Sequence, residues 1–194
     1  MSQDLDALRN FIARIHPLDD SAWTAFSEHW QPYIARRRTL LTAAGETERF
    51  LYFVLDGVQR AFYLSDRGRE ATIVFTYPPS FSGVPDSLLT GLPSSVYFET
   101  LTASRFLRLR SEHLVRLMED FPAVKTMVMK SLAHALHGVL KRQAEVQVAS
   151  SEEKFRALMA RSPHLLHLVP HKYIASYLGI DATNFSKLLG NTAI

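Results

Sequence analysis

LYFVLDGVQRAFYLSDRGREATIVF, residues 51–75, is the stretch whose reading decides the fold. Three runs rich in aromatic and β-branched residues, FLYFVL, VQRAFYL and REATIVF, are separated by Asp56-Gly57 and by Ser65-Asp66-Arg67-Gly68. Such side chains suit a pleated, half-buried surface, and glycine supplies the positive φ that tight turns require. The segment therefore predicts sequential antiparallel strands joined by hairpins. Working outward, RTLLTAAGE before it and VYFETLTA and SRFLRLR after it have the same character, so residues 38–110 read as sheet. No crossover helix has room between strands this short, which selects an antiparallel roll or barrel over a parallel α/β sheet.

Helices flank the sheet. Leu5, Leu8, Phe11, Ile12 and Ile15 recur at helical spacing, and a second amphipathic stretch over Ser21–Trp30 is opened by Asp20 as N-cap. After Arg110 the 3.6-residue period returns: Ser111 caps a short helix to Met118, the Phe121-Pro122 step breaks it, and residues 123–148 form a long helix without internal proline. Within that helix Val128, Leu132, Ala135, Val139, Arg142 and Val146 alternate steps of four and three. That is the spacing of a coiled-coil seam, so Val128, Leu132, Ala135, Val139 and Val146 are expected as a homodimer interface, the alternative being a helix lying on its own sheet. Met127, Leu136 and Leu140 form a second apolar face expected to cover the sheet. Ala149 to Glu153 reads as a hinge, with Ser150 and Glu153 in capping-box spacing. The expected division is a sensor domain over 1–149, including helix 123–148, and a small all-helical domain over 150–194.

Composition narrows the function. Hydrophobic residues at 47% and charged residues at 21% describe a chain able to bury a core. No apolar run approaches the roughly 18–20 residues that span a bilayer, and the N-terminal stretch lacks a secretory h-region, so a cytoplasmic protein without a membrane partner is expected. The absence of cysteine excludes disulfides, thiolate zinc sites and cysteine-held iron–sulfur clusters. His164, His167 and His171, and His134 with His137, lack a carboxylate or cysteine at ligand spacing, and no metal or other cofactor is expected. No nucleophile elbow, Walker loop or dinucleotide fingerprint occurs, and Asp86 with Ser87 has no histidine partner in the sequence pattern, so the chain does not read as an enzyme. The net charge of +3 is compatible with nucleic acid but does not argue for it.

The C-terminal stretch HKYIASYLGIDATNFSKLL, residues 171–189, carries the most specific local signal. Ile174, Ala175 and Leu178 share one face of a first helix, Gly179 can take a left-handed turn, and Asp181 caps a second helix whose Phe185, Leu188 and Leu189 point inward. Thr183, Asn184, Ser186 and Lys187 then fall on the outer face, with Lys172 nearby, as candidate contacts to bases and phosphates.

Three segments, residues 51–75 above, FPAVKTMVMKSLAHAL at 121–136 and VPHKYIASYLGIDATNFSKLL at 169–189, together resemble the Crp/Fnr family of bacterial regulators. The resemblance implies an α+β fold: an antiparallel β-roll of the cyclic-nucleotide-binding type (a double-stranded β-helix), flanking helices, a long dimerisation helix and a helix-turn-helix. It implies a ligand-responsive, homodimeric transcription regulator whose partners are double-stranded DNA and a small-molecule effector.

Two departures qualify that expectation. Family members that bind a cyclic nucleotide hold it in a loop carrying a glutamate and an arginine. The matching segment here, SFSGVPDSLLTGLPSSVYFE at 80–99, has Gly83 and Val84 in place of the acid and Pro93-Ser94-Ser95 in place of the arginine. From Glu70 through Ser104 there is no lysine or arginine, and a phosphate buried without a counter-charge is costly. Cyclic AMP and cyclic GMP are therefore disfavoured. The expected effector site, Phe81, Ser82, Gly83, Val84, Asp86, Ser87, Ser94 and Ser95, suits a neutral or hydrophobic molecule or none; Arg60 or the Arg36-Arg37-Arg38 run are the cations nearest to it on neighbouring strands, and that run reads rather as a solvated strand entrance. The second departure is the short tail, LLGNTAI, with no basic extension or wing and with Lys187 the sole lysine or arginine after Lys172. That small footprint keeps a second reading open, a sensor or adaptor of the same fold that does not bind DNA specifically.

Overall fold

The computed structural model describes residues 1–191. Two four-stranded antiparallel sheets face each other. One runs β1 (Gln31–Ala35), β8 (Ser104–Arg110), β3 (Phe50–Asp56), β6 (Ser80–Ser82); the other runs β2 (Leu40–Thr42), β7 (Tyr97–Thr100), β4 (Gln59–Leu64), β5 (Glu70–Thr76). The period-2 alternation of β3 and β8 sorts their side chains to two places. Tyr52, Val54 and Phe106 enter the space between the sheets, where they meet Ala61 and Phe98. Phe53, Leu107 and Leu109 point the other way, onto α1 (Ser2–Ala13), α2 (Asp20–Ser27), α4 (Ser111–Asp120) and the start of α5 (Pro122–Val148), against Leu8, Phe26, Leu114 and Met127. Each such fully buried side chain contributes roughly 1.5–3 kcal/mol.

The expected hairpins are half correct. β4 and β5 do pair, through a turn in which Gly68 N–H donates to the Ser65 carbonyl and Ser65 N–H to that of Arg69. β3 and β4 do not pair: they belong to different sheets, and Asp56-Gly57 is the corner where the chain crosses from one to the other. An Asp-Gly dipeptide specifies positive φ, here +89° at Gly57, but not which strand lies alongside. The corner rests on a second corner between β7 and β8: Leu101 N–H donates to the Val58 carbonyl at 2.7 Å, and Val58 N–H to the Thr102 hydroxyl at 2.9 Å.

Two caps also shift. Asp19, not Asp20, caps α2, accepting from Ala22 N–H at 2.9 Å. Ser111 is the first residue of α4 rather than its cap; its N–H donates to the Arg49 carbonyl instead. Pro122 stands in the first turn of α5, where a missing N–H costs nothing. The Ser150–Glu153 capping box is present and starts α6 (Ser151–Arg161), which is followed by α7 (Leu165–Leu168), α8 (His171–Leu178) and α9 (Ala182–Asn191). Gly179 is left-handed at φ +61°, and the Asp181 carboxylate caps α9 through Asn184 N–H.

At Gly57 a Cβ would stand 2.5 Å from the Ala103 carbonyl oxygen on a backbone of positive φ. Gly57→Ala is expected to destabilise by about 1–3 kcal/mol from backbone strain alone, with the clash adding to it, as measured by denaturant unfolding. Gly68→Ala, also at positive φ but with open space around it, is expected to cost less.

Candidate ligand cleft and nucleic-acid interface

A cavity of about 760 Å³ lies between the roll and α5, within the size range of small-molecule sites. Leu51, Ala61, Val74, Phe81, Val84 and Leu88 form its roll side, and Leu132, Ala135 and Val139 of α5 form the opposite wall. Arg161 of α6 and Tyr177 of α8 also line it, so the C-terminal helices take part in its construction.

Six of the eight expected loop residues, Phe81, Ser82, Gly83, Val84, Asp86 and Ser95, line this cavity. Ser87 and Ser94 do not. The Ser87 hydroxyl accepts from Glu48 N–H at 2.9 Å and donates to the Leu92 carbonyl at 2.6 Å, while the Ser94 hydroxyl donates to the Val96 carbonyl and accepts from Val96 N–H. Both are buried and spend their hydrogen bonds on loop shape. The residue that sequence reasoning missed is Glu48, only 2% exposed. Its carboxylate accepts from the Thr42 hydroxyl (2.6 Å), Arg49 N–H (2.9 Å) and Phe50 N–H (3.1 Å), and also from Val84 N–H. Burial pushes its carboxyl above the ordinary glutamate range, against the pull of those donors. Gly83, at φ +124°, brings the loop so close that a Cβ would sit 3.2 Å from the Phe50 carbonyl. In sequence, Glu48 lies in a polar GETER run indistinguishable from a solvated turn.

Neither Arg60 nor the Arg36-Arg37-Arg38 run lines the cavity, and the run is the solvated strand entrance that its sequence suggests. Arg36, Arg37 and Arg38 are exposed, with Arg37 Nε donating to the Leu101 carbonyl at 3.2 Å. Arg60 is 2% exposed on the outer face of the second sheet, paired with Glu99 (2.7 Å) and Glu70 (2.8 Å) and held between the rings of Phe62 (4.0 Å) and Tyr173 (3.6 Å). The cavity takes its cations from helices instead: Lys141, Arg142 and Arg161, with His134 and His137. Arg142 donates to the Tyr177 carbonyl at 2.8 Å and to Glu145 at 3.1 Å, and its guanidinium lies 4.6 Å from the Tyr177 ring centre. Its Nε is buried with no acceptor among the described residues. Arg161 donates to the Tyr177 hydroxyl at 3.4 Å.

These contacts belong to a broad docking of α8 against β5. Val58, Phe75 and Leu101 of the roll share one apolar cluster with Phe155, Leu158, Ile174 and Leu178 of the C-terminal helices. Thr72 N–H donates to the Ser176 hydroxyl at 3.0 Å, Phe75 packs on Tyr177, and the Tyr77 and Ser162 hydroxyls are hydrogen-bonded.

Of the expected DNA contacts, Thr183, Ser186 and Lys187 are exposed on one face of α9, and Lys172 is exposed on α8 with its ammonium 4.8 Å from the Tyr173 ring. Asn184 is not on that face. It is half-buried, and its amide donates to the Ser151 hydroxyl at 3.1 Å, pinning α9 to the first turn of α6. Helical spacing put it one step from Thr183 and could not show which way the third helix lay.

Along the expected seam of α5 the surroundings differ from residue to residue. Val128 lies in the chain's own core, Leu132, Ala135 and Val139 line the cavity, and Val146 lies against Gly179. The face expected to cover the roll does so only at Met127; Leu136 and Leu140 are 58% and 60% exposed. With Met129, Ala133, Ala144 and Val148 they form an exposed apolar stripe beside the expected seam, of which Ala135 and Val139 are exposed as well. The roll covers only the first turns of α5, so the remaining apolar positions are left outside.

Among the described residues no three His, Asp or Glu side chains converge as metal ligands, and no helix is long and apolar enough to cross a membrane. His164 meets Tyr77 edge-on at 4.5 Å, and His171 packs on Phe185.

Residues 35–121 match the cyclic nucleotide-binding domain family. No curated protein matches the chain. Among solved structures the chain is similar to FixK2 from Bradyrhizobium japonicum, with a TM-score of 0.74 and 15% identity over 83% of each chain. It is similar to a transcriptional regulator of the Crp/Fnr family from Eubacterium rectale, with a TM-score of 0.72 and 16% identity over 89% of this chain and 82% of that one. It is also similar to the c-di-GMP-responsive global regulator CLP of Xanthomonas campestris, with a TM-score of 0.67 and 17% identity over 89% of this chain and 90% of that one. The fold, a cyclic-nucleotide-binding β-roll followed by a long helix and a helix-turn-helix, is that of Crp/Fnr regulators.

With no lysine or arginine on the roll side of the cavity, calorimetric titration with cyclic AMP or cyclic GMP is expected to show no binding at physiological concentrations. Micromolar affinity for either would mean that the helix-borne cations serve a cyclic phosphate.

Proposed function

We propose that this chain is a ligand-responsive, DNA-binding transcription regulator of the Crp/Fnr type that works as a homodimer and does not use cyclic AMP. The observation that carries the reading is that Arg161 and Tyr177, residues of the C-terminal helices, are walls of the cavity in the roll. A molecule in that cavity bears directly on the unit that presents α9. It therefore shifts the population of helix-turn-helix positions by its differential affinity for them. The bound molecule leaves the cavity chemically unchanged.

Dimerisation rests on the exposed stripe of α5, where Met129, Ala133, Leu136 and Leu140 follow steps of four, three and four. A second copy related by a two-fold axis covers this stripe with its own, which removes the apolar surface from water and places two α9 helices for successive major grooves. The exposed Thr183, Ser186 and Lys187 are the proposed contacts, with Lys187 serving a phosphate or a guanine. The adaptor reading keeps one favouring observation, that Lys187 is the lone lysine or arginine on α9.

Leu136→Glu is expected to yield folded monomers by light scattering, with the far-ultraviolet spectrum of the parent; a parent already monomeric at tens of micromolar would remove the dimer. Selection from random duplexes at low salt is expected to return a two-fold motif with half-sites about one helical turn apart. Its salt dependence should be shallow beside that of a regulator making about six to ten phosphate contacts. Lys187→Ala is expected to lower affinity across all sequences, whereas Asn184→Ala is expected to lower thermal stability with little change of motif. Recovery of no motif would leave the adaptor.

A further inference from the structure

The two sides of the cavity differ in chemistry. The roll side is formed mainly by the apolar Leu51, Ala61, Val74, Phe81, Val84 and Leu88, with Ser82, Ser95, Thr76 and Asp86 as its polar members. On the helical side Arg142 and Arg161 both donate to Tyr177, and Lys141, next to Arg142 in α5, also lines the cavity. Glu145 pairs with Arg142 alone, and no ion pair engages Lys141 or Arg161 among the described residues. Arg142 adds a buried Nε–H without an acceptor, which is costly unless a ligand atom or water supplies one.

Resting on the reading of this cavity as the effector site, we infer that it takes an amphiphilic monoanion, an apolar body carrying one carboxylate-like head, seated with the head at Arg142 and Arg161 beside Tyr177, with Lys141 adding positive charge to the same wall. Burial of the body against the roll supplies non-directional affinity, and the head supplies orientation through charge-assisted hydrogen bonds. Asp86 on the roll side disfavours a second negative charge there. A nucleotide fits poorly because its sugar and base edges would lie along a wall with few hydrogen-bond partners, leaving polar groups desolvated. The head meets the same two arginines that hold Tyr177, so binding acts on the fastening of α8 to α5.

The probes are decanoate, decanol and decyltrimethylammonium, matched in their apolar body, titrated calorimetrically into the full chain without DNA. Decanoate is expected to bind about tenfold or more tightly than decanol, and the ammonium weakest. Lys141 and Arg161 are exposed, so Lys141→Ala and Arg161→Ala should fold, which thermal unfolding checks. In the double variant the gap between decanoate and decanol is expected to close. Equal affinity for decanoate and decanol, an unchanged gap in the folded double variant, no binding of any probe, or cyclic AMP that displaces decanoate would each overturn the inference. Duplex selection on the same preparation separates the two readings. Decanoate binding without a DNA motif supports the ligand class while removing the regulator. A motif without decanoate binding removes the ligand class alone.

Discussion

A guanidinium sealed between two carboxylates and two aromatic rings joins the halves of this molecule. Arg60 leaves the second sheet on its outer face, where Glu99 and Glu70 neutralise it and Tyr173 of α8 closes over it. An ion this buried is tolerable only when its charge and its donors are all matched, and removing one partner of such a cluster costs about 3–5 kcal/mol. The second sheet and the helix-turn-helix are therefore not independent: the sheet needs the ring of Tyr173 as a lid, and α8 needs the sheet as a floor. Phe75, Tyr77 and Thr72 extend the same contact with apolar burial and hydrogen bonds.

The first sheet solves its burial differently. Its outer face is covered by the N-terminal helices and the opening turns of α5, so α5 begins inside one core. Its later part reaches the other unit, where Arg142 holds Tyr177 and Val146 lies against Gly179. Between those anchorages one face of the helix borders the cavity and the opposite face is open. A single rigid rod thus touches the roll, the cavity and the helix-turn-helix, which is the physical basis for expecting their states to be coupled.

Local rules were legible in the sequence wherever a residue's conformation depends on its immediate neighbours. The strand character of residues 38–110, the break at Pro122, the Ser150–Glu153 cap and the left-handed Gly179 all follow from such rules. What failed depended on partners distant in the chain. Asp56-Gly57 looks the same whether the next strand returns alongside or crosses to another sheet. On α5 periodicity gives two apolar faces but cannot say where the cover of the roll ends, so Leu136 and Leu140, expected over the sheet, stand exposed. Nothing local announces that Arg60, a cation within reach of the loop in sequence, is held by Tyr173 of α8, or that the Asn184 amide meets Ser151. Glu48 was overlooked for the same reason: its donors come from β2, its own strand entrance and the 84 position of the loop.

Ser176 has a consequence beyond docking. β5 is the last strand of its sheet, and an outermost strand offers a row of unpaired amides and carbonyls to any other chain. Here the Ser176 hydroxyl takes the Thr72 amide and leans on the Glu70 carbonyl, standing in for a missing neighbour strand. Lifting α8 from the roll uncovers that row. The sheet then becomes a template for strand addition, so a conformational change that frees the helix-turn-helix carries a risk of self-association unless something else covers β5. In this chain, guarding an edge against aggregation and holding α9 in place are the task of one short helix.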